Sequence, residues 1–260
     1  MRNQKHIFVF GVCGRCSSTA IQRILNSSHQ VNIWGEQHYL IDDLLALVNR
    51  LNYYLQDQNV KKDNFMFKES FNHKLHFFPY MNAMGHLEKF KEGLINSLCE
   101  NLKPTRDDIK RVGFKDIRLK SINTLMGLLE IFPNSKFIFM FRNPLMQWTS
   151  VRVHRYWDYS SHPKKFLKEY VHISDILIDF SRLEKNVFFL EDIEIDMSSK
   201  MDNLLNFAEI NGIDHEVIEQ KYSVKGLNRT IDKNTESLIK SHKAYRNYLE
   251  MKSILPLKAK

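Results

Sequence analysis

The sequence predicts an α/β fold, a single domain with a central parallel sheet flanked by helices, and three observations lead there. Short apolar runs rich in β-branched and aromatic residues alternate with longer stretches in which apolar residues recur every three or four positions. The run Lys136 to Phe141, KFIFMF, is apolar on both faces, as a strand covered by helices on either side must be. Turn or charged residues follow each run directly, at the strand ends where sheets of this kind bind ligands.

Ile7-Phe8-Val9-Phe10 is the first strand. Gly11 and a cluster of hydroxyls follow, and then Ala20, Ile21, Ile24 and Leu25 fall at helical spacing, with Ser17, Ser18 or Thr19 available as the helix N-cap. A strand, a tight loop and a helix N-terminus direct backbone N–H groups and the positive end of a helix dipole at one spot, which suits an anion such as phosphate. Arg15 and the hydroxyls of Ser17, Ser18 and Thr19 add charge and donors there. The triphosphate loop G-x-x-x-x-G-K-[ST] does not fit, because its second Gly falls on Cys16 and its Lys on Ser17 when counted from Gly11. On this segment alone, an ordinary strand-to-helix turn is the alternative.

Val31-Asn32-Ile33-Trp34 reads as the second strand, closed by Gly35 and followed by Glu36, and Tyr39 to Leu55 as an amphipathic helix. Lys61 to Gly85 is rich in aromatic residues with weak periodicity, either a loop-rich core flap or a lid and acceptor-pocket wall. A helix over His86 to Asn101 precedes a strand at Arg111 to Lys115, which leads into Asp116-Ile117-Arg118. Ile122, Leu125, Met126, Leu128 and Leu129 mark a helix ending near Pro133. The central strand Lys136 to Phe141 stops at Arg142-Asn143-Pro144, where Asn143 caps a helix, Pro144 takes its first position, and the helix carries Ser150. Phe166 to Phe180 is helical in pattern, and Val187 to Leu190 is a last buried strand ended by Glu191-Asp192.

At 260 residues, with 43% hydrophobic and 26% charged residues and no repeat or Pro/Gly/Ser-rich linker, one domain spanning 1–260 is expected. Thirty-eight Lys and Arg against thirty Asp and Glu give +8, a field that favours anionic ligands. The basic residues are scattered, which speaks against a nucleic-acid partner. The apolar run near the N-terminus is too short for a signal-peptide core or a membrane span, so a cytoplasmic protein without a membrane partner is expected. Three cysteines make no disulfide framework and suit a reducing compartment. Disorder is expected only at the ends, such as 258–260. Oligomeric state has no signal in the sequence.

The residues just past the strands are Arg15 to Thr19, Glu36, Lys115, and Arg142 with Ser150. A parallel sheet brings such positions to one crevice. One phosphate site leaves Arg142 and Ser150 without a role; two anionic groups on one ligand account for both.

In these segments the chain resembles the sulfotransferases that use 3′-phosphoadenosine 5′-phosphosulfate (PAPS). Arg15-Cys16-Ser17-Ser18-Thr19 stands where that family has an Arg-Ser-Gly-Thr-Thr-like loop for the 5′-phosphosulfate, with Cys16 and Ser17 departing from Ser and Gly. FPNSKFIFMFRNPLMQWTS, with Arg142 and Ser150, is similar to the strand, Arg and later Ser that bind the 3′-phosphate, and is the more specific motif. Glu36, in a Gly-Glu pair, is similar to the catalytic-base position of bacterial and tyrosylprotein members, Lys115-Asp116 to the lysine segment at the transferring sulfonate, and FFLEDIEID to a Tyr-Glu-Asp-Leu segment. Coverage runs from about Ile7 to about Phe207, and Val224 to Leu227 only faintly resembles a cofactor-covering loop.

The resemblance implies a P-loop-like phosphosulfate loop after the first strand, PAPS as cofactor, and adenosine 3′,5′-bisphosphate (PAP) as product. It implies binding by Gly14, Arg15, Cys16, Ser17, Ser18, Thr19, Arg142 and Ser150, and no metal. Sulfonate transfer needs a base for the acceptor proton and fixed positive charge on the sulfonate and leaving phosphate, which gives Glu36 as base and Lys115 and Arg15 as stabilisers. The acceptor is expected to be a small molecule such as a natural product, sulfonated on a hydroxyl or nitrogen; carbohydrate, lipid or peptide acceptors are the alternatives. Rival classes are a small-molecule kinase, a nucleotide-binding protein without catalysis, and a redox protein using the Cys13-Gly14-Arg15-Cys16 C-x-x-C. Zinc is poorly supported, since Cys99 is the one further thiol and no paired His spacing accompanies it.

Overall fold

In the computed structural model, which describes residues 5–69, 84–154, 157–196, 198–214, 216–217 and 230–254, the first strand runs Lys5–Gly11 (β1) and lies at the centre of a five-stranded sheet. The others are β2 (Val31–Trp34), β3 (Arg111–Asp116), β4 (Lys136–Phe141) and β5 (Val187–Glu191), in the order β2-β3-β1-β4-β5. Every neighbouring pair is parallel. From β1 the chain crosses to the edge strand β2, returns to β3 beside β1, and then passes to β4 and β5 on the other side, so the order reverses at β1, where sheets of this kind open a crevice at the carboxyl ends. The α/β class and the central parallel sheet flanked by helices are as the sequence predicts.

Period-two alternation sorts the two faces. Ile7, Val9, Ile138, Met140, Phe188 and Leu190 pack on one side with Ile21, Ile24 and Leu25 of α1 (Ser18–Ser27) and with Met201, Leu204 and Ala208 of α8 (Ser198–Ala208). The opposite face is aromatic: Phe8–Phe114, Phe137–Phe180 and Phe139–Phe189 ring centroids lie 5.0, 4.9 and 5.3 Å apart. Gly113 lets β3 approach β1, since a Cβ there would sit 1.7 Å from the Ile7 carbonyl oxygen.

Contacts divide the chain into two compact units, Met1–Tyr39 with Pro104–Lys260, and Leu40–Lys103. The first holds the sheet, with α5 (Ile122–Ile131), α6 (Pro144–Val151), α7 (Pro163–Leu183), α9 (Lys233–Ser241) and α10 (Lys243–Ser253). The second contains α2 (Leu40–Gln56), α3 (Gln58–Glu69) and α4 (Leu87–Asn101), with Ile41, Leu45, Val48 and Leu51 as the buried stripe of α2. Residues 58–69 are thus helical where aromatic content hid the periodicity; the rest of the aromatic-rich segment, 70–83, lies outside the described residues, as do 224–227 and 258–260. Helices α8 to α10 have no counterpart among the elements expected from the sequence, which end at the last strand. Among the described residues no helix is long and apolar enough to cross a membrane.

The amino edge of the sheet is tied by one carboxylate. Glu209, just past α8, meets Arg111 at 2.6 Å, Lys136 at 2.7 Å and Lys5 at 2.9 Å, the first residues of β3, β4 and β1. Arg111 is only 2% exposed and also donates to the Ala208 carbonyl. Hydrogen bonds from Lys136 and Lys5 hold the Glu209 carboxyl down, from the ordinary 4.5 to about 2. A depressed carboxylate stabilises the fold above its unfolded pKa, and that contribution is lost as pH falls through its folded value.

Glu209→Gln should therefore lose about 1–2 kcal/mol at pH 7, the low end of what breaking a buried pair costs because Glu209 itself is half-exposed. Chemical denaturation of both proteins should show the gap closing as pH drops from 4.5 toward 2. A gap independent of pH would assign the loss to packing.

Candidate active site

The loop between β1 and α1 is curled, with Cys13, Arg15 and Ser17 at φ 61°, 69° and 67°. Successive N–H groups in such alternating conformations line a concavity suited to an anion. Ser17 is the N-cap position, and in the left-handed region its side chain makes no capping hydrogen bond, while its carbonyl accepts the Ala20 and Ile21 N–H groups at 3.0 and 3.2 Å. Ser17 thus adopts a conformation that Gly takes without penalty.

Several contacts hold the curl. Val12 N–H donates to the Met140 carbonyl at 2.9 Å, and the buried Gln147 amide donates to the Val12 and Gly14 carbonyls at 2.6 and 2.7 Å. Gly14 N–H donates to the Tyr159 hydroxyl at 2.9 Å. A Cβ on Gly14 would lie 2.3 Å from the Trp157 ring, which stacks on Tyr159, so no larger residue fits. Cys13 and Cys16 are both fully buried, and burial pushes both thiols up. A redox-active pair needs a low thiol pKa and access, so the C-x-x-C here is core. The Lys115 ammonium partly offsets the rise at Cys16, which puts its charge within reach of the loop.

Glu36 and Lys115, 79 residues apart in sequence, meet at 2.6 Å, because β2 lies beside β3 and both end at the same edge. Lys115 is buried, with 5% of its side chain exposed, and Glu36 retains 22%. Arg118 stands 3.8 Å from the other Glu36 oxygen and also contacts His38 Nδ1. Asp116 anchors this corner by accepting the N–H groups of Gln37, Ile117 and Arg118 at 3.0, 2.7 and 3.0 Å. Burial raises its pKa despite those donors.

The third group is joined to the loop. Asn143 caps α6 by accepting from Leu145 N–H, and Pro144 follows it as predicted. Ser150 accepts from Arg15 Nε at 2.9 Å. Arg142 NH1 reaches the Arg15 carbonyl at 3.4 Å, and its Nε lies 2.9 Å from Asp192. That Nε is buried with no acceptor in line with its N–H among the described residues. Arg15, Arg142 and Ser150 thus form one cluster joining the loop to the end of β4. Burial, and then the charge of Arg15, lower the pKa of His154.

A curled loop at a helix start, an Arg142 N–H without an acceptor among the described residues, and the cations Arg15, Lys115, Arg118 and Arg142 at one sheet edge fit an anionic ligand with more than one phosphate-like group. The supports that sequence reasoning missed are Gln147, Trp157, Tyr159, Arg118 and the pairing of Asp192. Gln147 alone left a signal, a polar residue one turn after the Asn143 cap on a helix packed over a strand.

The sequence matches the family model described as sulfotransferase family over residues 6–211. No curated protein matches it. Among solved structures it is similar to the sulfotransferase domain of a Synechococcus olefin synthase, at 14% identity over 98% of this chain and 90% of that one, TM-score 0.49. The sulfotransferase domain from the curacin biosynthetic pathway is similar at 14% identity, 98% and 100% coverage, TM-score 0.49. A sulfotransferase from Mycobacterium avium is similar at 13%, 97% and 78%, TM-score 0.45. With a family match over most of its length, and with the parallel sheet, the curled loop and the charged edge, the chain belongs to the sulfotransferase family and is a sulfotransferase enzyme.

Proposed function

We infer that the enzyme moves the sulfonate of PAPS to a hydroxyl or nitrogen of a small-molecule acceptor such as a natural product, by direct in-line transfer, leaving PAP. The observation that carries this reading is the Glu36 carboxylate held 2.6 Å from buried Lys115 on the edge that also bears the curled loop. When bound, PAPS supplies the sulfonate and a phosphate leaving group. Glu36 takes the acceptor proton as the acceptor oxygen or nitrogen bonds to sulfur and the sulfur–phosphate oxygen bond breaks. Lys115 orients that carboxylate and lends charge to the sulfonate side. Arg15, with the backbone N–H groups of the Gly14 to Thr19 loop and the Ser17, Ser18 and Thr19 hydroxyls, stabilises the negative charge that develops on the leaving phosphate.

Arg142 is assigned to the 3′-phosphate, with Ser150 brought in through Arg15. In this reading the whole chain, 1–260, works as one sulfotransferase domain, and its three free thiols, two of them buried in the loop, suit the cytoplasm.

Glu36→Gln keeps the size and one acceptor oxygen but cannot take a proton. PAP binding by calorimetry should stay near normal while turnover falls by at least about a hundredfold and the acidic limb of the pH–rate profile disappears. A loss confined to nucleotide affinity would make Glu36 structural and move the search for the base to His38 or His154. Mass spectrometry of extracts incubated with the enzyme and PAPS identifies the acceptor.

Arg142→Ala should weaken PAP binding by at least about tenfold while adenosine 5′-phosphate is little affected. Equal losses for the two nucleotides would refute the assignment. Tighter binding of ATP than of PAP by the unaltered protein would favour a kinase instead.

A further inference from the structure

Asp192 has no part in the sulfonate transfer itself, yet it stands against Arg142, and its own role rests on Arg142 being the arginine that holds the 3′-phosphate. The register Phe141↔Glu191 makes Arg142 and Asp192 neighbours on the carboxyl edge of the sheet. Their side chains are 22% and 17% exposed, and Nε and Oδ2 are 2.9 Å apart.

Two jobs are open to such a carboxylate. It can aim the guanidinium, or it can offset part of its charge. Aiming requires the N–H to point at the oxygen, and here it does not: the Arg142 Nε–H has no acceptor in line among the described residues. Other contacts fix Arg142 in place. Its NH1 reaches the Arg15 carbonyl at 3.4 Å, and its own carbonyl accepts from the buried Tyr170 hydroxyl at 3.0 Å. What Asp192 contributes is therefore charge.

Nor is that charge free to leave. The preceding residue, Glu191, is buried; it accepts from the Tyr248 hydroxyl at 2.7 Å, lies 3.2 Å from Lys252 and donates its N–H to Glu194 at 3.0 Å. Asp192 is pinned where an incoming phosphate must share Arg142 with it, and two anions on one guanidinium repel.

We propose that Asp192 is a built-in competitor of the 3′-phosphate for Arg142, setting nucleotide affinity low enough for the product to leave. The product carries the same 3′-phosphate as the donor, so an arginine at full strength would hold both equally well. The carboxylate acts on 3′-phosphorylated nucleotides and hardly on those without that group.

Calorimetry with PAP and with adenosine 5′-phosphate on the full chain tests this. Asp192→Asn, which keeps the shape and removes the charge, should tighten PAP binding by about tenfold with a much smaller change for adenosine 5′-phosphate. Added salt should narrow the gain. Asp192→Ala should shift PAP affinity in the same direction, and inhibition by PAP should deepen in both variants. Unchanged or weaker PAP binding by Asp192→Asn, with Arg142→Ala still selectively losing PAP, overturns the proposal and leaves the 3′-phosphate assignment standing. Equal losses of both nucleotides in Arg142→Ala remove the assignment and this proposal together.

Discussion

The curl of the β1–α1 loop hangs on one buried side chain. Gln147, fully covered by protein, gives both of its amide hydrogens to the loop, one to Val12 and one to Gly14. Three non-glycine residues in the left-handed region would relax toward ordinary backbone if nothing opposed them. The amide opposes them from a helix that is itself set by Asn143 and Pro144 at the end of β4, so the geometry of one anion group is dictated from the strand that carries the other. Arg142 reaching the Arg15 carbonyl and Arg15 reaching Ser150 repeat the same link through charged groups. Loop and strand end are one construction, which explains why residues 135 positions apart must be specified together.

Much of this was legible in the sequence because the sheet follows simple rules. Buried parallel strands show as apolar runs, their carboxyl ends collect polar residues, and the Asn143-Pro144 start of α6 is local chemistry that the fold had no reason to override. What was not legible are contacts made by direction more than by residue type. Ser150 lies on the helix after β4, and no spacing in the sequence shows that its hydroxyl meets Arg15 of the loop after β1. Ser17 reads as a capping residue, and its backbone conformation cancels the cap. Tyr159 and Trp157 close over Gly14 from a segment without periodicity, and no spacing rule connects them to the loop.

The charge is also placed unevenly in a way the total conceals. Leu40–Lys103 carries eight basic and eight acidic residues, so the whole excess of eight belongs to the unit with the sheet. A net charge of that sign favours anionic ligands over cationic ones. At the carboxyl edge that excess is offset locally by two carboxylates, Glu36 beside Lys115 and Asp192 beside Arg142.

The tie between α10 and β5 bears on how the chain comes into being. Tyr248 and Lys252 meet the carboxylate of Glu191, and Asn247 donates to Ser174 and Asp175 on α7 at 2.8 Å each. All five strands leave the ribosome before α10 does, so a nascent chain can pair its sheet while the end of β5 still presents a buried acid with no partner. Glu191, next to Asp192 on the carboxyl edge, thus takes its side-chain partners from a helix that follows all five strands in the chain, so that edge is complete only once α10 has docked.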